Sequence, residues 1–171
     1  MSAPRRATTI GVYDWTVEAW VDALRATDVA QVLDVRQRRG VRGRRYAWAN
    51  SARLQAVLAE AGIEYRHHRE LAPTTELRQL QYREDDRLGV GKRSRVELAA
   101  EYRRRYLGEV LGQVDLRPIV EAMPTGGAAA LVCVEADPEA CHRSLIAERL
   151  EAEFELTVEH LRPPSLSATP V

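Results

Sequence analysis

Hydrophobic residues recur along the chain with two alternating periods, and the switches between them predict strands interleaved with helices. Thr8–Tyr13 (TTIGVY) is a short β-prone run, and Asp14 and Thr16 after it are helix-cap residues. Val17, Trp20, Val21 and Leu24 fall at i, i+3, i+4 and i+7, which is one apolar helical face. Ala30–Val35 (AQVLDV) is apolar almost without a break up to Asp34, the pattern of a strand buried on both faces in a parallel sheet. Asn50 is placed to cap a helix whose face is Leu54, Val57, Leu58 and Ala61, with Gly62 at the C-terminal stop, and Ile63–His68 reads as a third strand. Residues 69–92 show no sustained period beyond one turn of helix at Glu76–Leu80, so a long, partly mobile excursion is expected there. Helical spacing returns at Ala99, Tyr102, Tyr106 and Val110, and a short helix starts at Pro118 and ends before Gly126. Ala128–Glu135 (AAALVCVE) is the strongest buried-strand signal. Asp137-Pro138 then opens a helix expected to run to about Phe154, and Leu156–Leu161 is the last strand.

This alternation predicts an α/β fold: a three-layer sandwich with a largely parallel, Rossmann-like sheet and right-handed crossovers. One domain over 8–161 is expected, with flexible ends at 1–7 and 162–171. In such folds ligands bind beyond the carboxyl ends of the strands. Three segments follow predicted strand ends: Tyr13 with Asp14, Asp34–Arg45, and Cys133–Arg143.

At 171 residues, 45% hydrophobic and 29% charged, the chain has the composition of one globular domain, which excludes collagen-like, coiled-coil and wholly disordered classes. No run approaches the roughly 18 apolar residues of a membrane span, and MSAPRRATT lacks the apolar stretch of a signal peptide. A cytoplasmic protein with two reduced cysteines and no membrane partner is therefore expected. Net charge is zero, but its distribution is uneven. Six arginines and no acid lie between Arg36 and Arg45, whereas from Cys133 to His160 eight acids face two arginines. Only the basic side suits a polyanion.

Two segments carry candidate chemistry. In CVEADPEACHR (Cys133–Arg143), the free N–H groups at the start of a helix favour an anion and lower a thiol pKa. Cys141 then becomes a nucleophile, with Glu135 or His142 handling the proton. The plainer alternative makes Cys133 and Cys141 buried packing residues and pairs Glu135 with Arg143. A metal site is not expected: Cys141 and His142, adjacent on the predicted helix, would sit about 100° apart around its axis, and no C-x-x-C or H-E-x-x-H spacing exists. No cofactor motif is present either; GVRGRR lacks the G-K-[ST] ending of a P-loop. In DVRQRRGVRGRRYAWAN (Asp34–Asn50), Arg36, Arg39, Arg44 and Arg45 offer forked donors for phosphate, and Tyr46 and Trp48 offer rings for bases. The alternative there is a solvated loop in which Arg36 turns inward to Asp34 or Glu135. Of His67 and His68, neighbours on a strand, only one can face the site.

These residues resemble the widespread bacterial and archaeal domain-of-unknown-function family numbered 488. The resemblance spans roughly Thr8–Leu161 and rests on TIG (Thr9–Gly11), LDVR (Leu33–Arg36), GIEYRHHREL (Gly62–Leu71) and, most specifically, C-x-E-x-D-P-x-x-C-H-R from Cys133 to Arg143. It implies an α/β domain with these motifs gathered into one pocket, at Gly11, Asp34, Arg36, His67, Cys133, Glu135, Cys141, His142 and Arg143. The family pattern after TIG is usually His-Ser, where this chain has Val12-Tyr13, and the Pro and Ser-Arg usual after DVR are replaced by an arginine-rich loop.

Three functions follow. The first is an enzyme acting on a nucleic acid or another phosphate-bearing substrate, for example a hydrolase of N-glycosidic bonds. Its catalytic candidates are Glu135, Cys141, His142 and Asp34, and its binding candidates are Gly11, Tyr13, Arg36, Arg39, Arg44, Arg45, Tyr46, Trp48, His67, Cys133 and Arg143. The second is a thiol-based redox or sensing protein using Cys133 and Cys141. The third is a non-catalytic nucleic-acid-binding module.

Overall fold

The computed structural model describes residues 4–91 and 93–164. Five strands form one all-parallel sheet in the order β3-β2-β4-β1-β5: β1 Arg6–Ile10, β2 Val29–Asp34, β3 Glu64–His67, β4 Ala128–Val132 and β5 Thr157–Leu161. Helices α1 (Val17–Ala26) and α2 (Ser51–Glu60) cover one face, where Trp20, Leu24, Leu54 and Leu58 pack on Ile10, Val32, Ala130 and Val132. Helices α3 (Thr75–Leu88), α4 (Ala100–Glu109), α5 (Arg117–Glu121) and α6 (Arg143–Phe154) line the other, around Leu33, Ala129 and Leu131. This is the three-layer, Rossmann-like α/β fold expected from the alternating periods. No helix of the described residues is long and apolar enough to cross a membrane.

The strongest sequence signal lies at the centre of the sheet. β4 pairs with both β1 and β2, so its five residues are buried throughout, and only small or aliphatic side chains fit between two helical layers. Thr16 caps α1 by accepting from the Ala19 N–H. Asn50, expected to cap α2, instead accepts from the Val41 N–H at 2.6 Å and pins the arginine-rich loop to the start of that helix.

Three expectations change. The chain enters the sheet at Arg6, inside the expected flexible N-terminus; residues 1–3 and 165–171 of the two predicted ends lie outside the described residues. Most of the expected 69–92 excursion is ordered: a 3-10 turn at Arg69–Leu71 leads to the 14-residue α3, capped by Thr74 and ended by Gly89 in the left-handed conformation. Its buried positions are Leu77, Gln81 and Asp85, a regular i, i+4, i+8 face whose last two members are polar, so no apolar period announces it. Third, the helix predicted to start at Pro138 is interrupted at Cys141, with consequences for the site described next.

Gly11 follows β1 where the backbone presses against the loop after β4, and a Cβ there would lie 2.0 Å from the Glu135 carbonyl oxygen. Gly11→Ala is expected to cost about 1–3 kcal/mol of stability through this overlap, measured by urea denaturation; an unchanged midpoint would show that the contact yields freely.

Candidate active site

The carboxyl end of β4 is tied down on several sides. The Val12 and Tyr13 N–H groups both donate to the Val134 carbonyl, at 2.9 and 3.0 Å. Arg143, fully buried, donates to the carbonyls of Glu135 (2.6 Å) and Ala136 (3.1 Å) and to Thr9 Oγ1 (3.3 Å). It therefore holds the β4–α6 loop by its backbone, and the predicted Glu135–Arg143 side-chain pair does not form. Pro138–Ala140 closes a 3-10 turn, Cys141 swings to extended backbone (φ −138°, ψ 148°), and α6 restarts at Arg143. Cys141 and His142 are thus not successive residues of one helix, and the 100° separation that argued against their facing one point does not apply.

Both sulfurs and the imidazole meet in the interior. His142 Nδ1 lies 3.7 Å from the Cys133 sulfur and 3.7 Å from the Cys141 sulfur. Its other nitrogen, Nε2, is 2.8 Å from the Val35 carbonyl, which can only accept, so the proton sits on Nε2 and Nδ1 turns a lone pair to the sulfurs. The Cys133 thiol also approaches Glu135 Oε2, at 3.7 Å. Burial pushes the Cys133 thiol well above its usual pKa, reinforced by Cys141 and Glu135. Burial acts the same way on Cys141, but hydrogen bonds from Cys133 and His142 and the charges of His142 and Arg143 outweigh it and draw that thiol well below its ordinary value. His142 is raised in turn, because the Cys141 charge and the Val35 hydrogen bond overcome its burial.

Glu135 is held by a chain of ion pairs that sequence reasoning missed. Arg95 grips Asp85 with Nε and Nη2 (2.7–3.1 Å) and reaches Glu135 Oε1 (3.3 Å) and the Ala140 carbonyl (3.2 Å) with Nη1. Gln81 donates to Asp85 at 2.8 Å, so the polar face of α3 is the foundation of this chain. Only the four-residue spacing of Leu77, Gln81 and Asp85 behind the Thr74 cap could have pointed to it. Cys133, Glu135, Cys141, His142, Arg95 and Tyr102 all line one cavity of about 60 Å³.

The other predicted residues divide. Asp34 and Arg36 form a buried bidentate pair (2.9 and 2.8 Å), completed by the Tyr65 hydroxyl donating to Asp34 and by Arg36 donating to the Ala49 carbonyl. Asp34 is fully buried and its two oxygens accept from Arg36 and Tyr65. Arg36 lines the cavity but spends its fork on Asp34 and Ala49. His67 Nε2 bonds the Arg36 carbonyl at 2.9 Å and braces the same turn. Tyr46 and Trp48, expected to stack on bases, turn inward: Tyr46 is 1% exposed against Tyr13, and Trp48 packs on Trp20. Arg44 and Arg45 are exposed, and Arg39 reaches the Tyr65 hydroxyl; all three lie outside the cavity.

Beside the cavity runs a wider groove of about 770 Å³, sharing Arg38, Arg78, Tyr82 and Val134 with it. Arg42, Arg93 and Tyr13 complete its polar wall, and among the described residues no acid lines it. Arg93 lies over the Tyr13 and Tyr46 rings at 5.1 and 5.2 Å, and Arg78 donates to Gln37 and to Tyr82, so neither bond neutralises its charge.

Fold and site together define an α/β protein with a polar, thiol- and imidazole-lined cavity at the carboxyl edge of its sheet, where such folds place their ligands. Residues 16–150 match the family described as Domain of unknown function DUF488, and the chain belongs to that family. No curated protein and no solved structure matches it.

Removing one partner of the Asp34–Arg36 pair strands a buried charge. Asp34→Ala is expected to lower stability by about 3–5 kcal/mol in chemical denaturation, whereas Arg44→Ala should stay within about 0.5 kcal/mol. Equal effects would mean that the buried pair contributes no more than an exposed arginine.

Proposed function

We propose that the protein is an enzyme that holds a phosphate-bearing substrate, a nucleotide or nucleic-acid strand, in the arginine groove and transforms it at the adjoining Cys133–Glu135–Cys141–His142 cavity. The observation that carries this reading is the wall of Arg38, Arg42, Arg78 and Arg93, which no acid joins among the described residues, leading into a cavity that contains a carboxylate. Four guanidinium groups in a groove that no acid lines among the described residues repel one another unless an anion enters, and their planar forks match phosphate oxygens. In this reading anion binding falls to the four groove arginines, of which Arg38 and Arg78 also line the cavity, and not to Arg39, Arg44 and Arg45. Tyr46 and Trp48 pack inward and Tyr13 is buried beneath Arg93, so this reading rests on the phosphate contacts of the groove and not on a stacking ring. Glu135, anchored by Arg95, is the carboxylate placed to accept a hydrogen bond from an attacking water, and hydrolysis is the reaction class this arrangement suits.

Fluorescence anisotropy of labelled single- and double-stranded oligonucleotides, with nucleotides as competitors across a salt series, tests the groove. The wild type should bind, and the Arg38/Arg42/Arg93→Ala variant should lose affinity, with a slope of log K against log salt shallower by roughly 0.7–0.9 per phosphate contact removed. Glu135→Gln should retain binding while product formation, followed by mass spectrometry, falls by about 10²-fold or more. Absence of binding by the wild type at low salt would overturn the reading, and unchanged turnover in the Glu135 variant would remove that residue from the reaction.

A further inference from the structure

We propose that Cys133, Cys141 and His142 bind a zinc ion through their two sulfurs and Nδ1, leaving a fourth position open to the cavity. The three donor atoms all lie within 4.8 Å of one another, and each residue is buried. Around a tetrahedral zinc, with Zn–S near 2.3 Å and Zn–N near 2.0–2.1 Å, a sulfur and a nitrogen stand roughly 3.6 Å apart. His142 Nδ1 is 3.7 Å from each sulfur. The Nε2 proton is committed to Val35, so Nδ1 turns its lone pair towards both sulfurs, and the Cys133 sulfur also approaches Glu135 Oε2 at 3.7 Å. A cation at the shared focus satisfies all three donors.

The surroundings are those of a metal ligand set. Metal-bound histidines almost always give their second N–H to a carbonyl or carboxylate, which fixes the ring and the tautomer; here Val35 does so, and the Tyr106 ring packs against the imidazole at 5.5 Å. Two thiolates and an imidazole are a soft to borderline set that suits zinc over magnesium or calcium. The ligands come from rigid places, the end of the central strand and the turn before α6, and Arg143 clamps the loop between them. Three protein ligands with an open fourth position are the catalytic type of zinc site, since structural sites close with four. All three residues line the cavity that also holds Glu135. As the metal enters, two Zn–S bonds and one Zn–N bond form, the thiol protons pass to solvent, and no electron changes hands. Zinc here supplies an electrophile that would polarise a substrate oxygen or carry the attacking water beside Glu135. That catalytic consequence rests on the enzyme reading above; the metal site itself does not.

The test uses the full chain, purified under reducing conditions without chelator, loaded with zinc chloride or cobalt chloride and desalted. Elemental analysis should find about one zinc per chain, and the cobalt form should show the sulfur-to-metal charge-transfer band and visible bands of tetrahedral thiolate coordination. Cys133→Ser and Cys141→Ser should each weaken zinc binding by at least the 10–100-fold that loss of an outer-shell partner costs. Because either variant could fail to fold, the wild type carries a second readout: zinc should protect both cysteines from iodoacetamide under native conditions, counted by intact mass. Failure of the wild type to take up metal, a cobalt spectrum without the charge-transfer band, one zinc retained by the double cysteine variant, or unprotected thiols would each overturn the site. A Cys133–Cys141 disulfide forming in a chain that takes up no metal would do so in favour of thiol redox chemistry. None of these readouts involves a substrate, so their failure is distinct from loss of oligonucleotide binding, which tests the groove.

Discussion

Arg143 is the interaction on which the site depends. A guanidinium buried in the interior would be expensive alone, and it is tolerated because its donors meet the carbonyls of Glu135 and Ala136 and the Thr9 hydroxyl. Its binding to backbone rather than to a carboxylate matters. The Glu135 side chain lines the cavity, paired with Arg95, while its main chain is fixed, and Gly11 lets β1 come close enough to complete the clamp. With the loop held at that end, the chain must turn sharply through Pro138–Ala140, and this turn presents Cys141 and His142 to Cys133.

Two buried ion-pair systems divide the remaining work. Asp34–Arg36 closes the end of β2 and is capped by Tyr65 and Ala49, so it shapes one wall and leaves little capacity for a ligand. Asp85–Arg95–Glu135 crosses from α3 to the end of β4 and sets the position of the carboxylate. Such pairs give modest net stability, because desolvation offsets much of the attraction, but each allows few arrangements of the partners it joins. The groove arginines are different in kind: they are cationic, lie beside the cavity and, among the described residues, meet no carboxylate in the wall they form.

Much of this was legible in the sequence. The five strands, the burial of β2 and β4 and the neighbouring ends of three strands followed from apolar period and length, since those patterns are local. The Cys133–Arg143 segment was also recognisable as the richest in chemistry, and the inward Asp34–Arg36 pair stood among the alternatives. What escaped notice depends on distant partners. Helix α3 buries Gln81 and Asp85 because Arg95 and the Ala99 N–H await them, so its inner face looks polar until those contacts are known. The break at Cys141 was hidden for a related reason. Asp137-Pro138 is a good helix opening by local rules, and only the Arg143 clamp shows that the helix restarts five residues later.

The strand order carries a consequence for how the molecule is built. β1 and β2, made first, do not pair with each other; β4, made about a hundred residues later, inserts between them and joins β1 and β5 to the β2–β3 pair. Until it does, the sheet exists only as fragments, and the loop entropy of that closure must be met before its contacts form. Because the same strand ends in Cys133 and leads to Glu135, Cys141 and His142, completion of the fold and assembly of the cavity are a single late event. A chain released before β4 is made therefore has neither a continuous sheet nor Cys133, Glu135, Cys141 and His142.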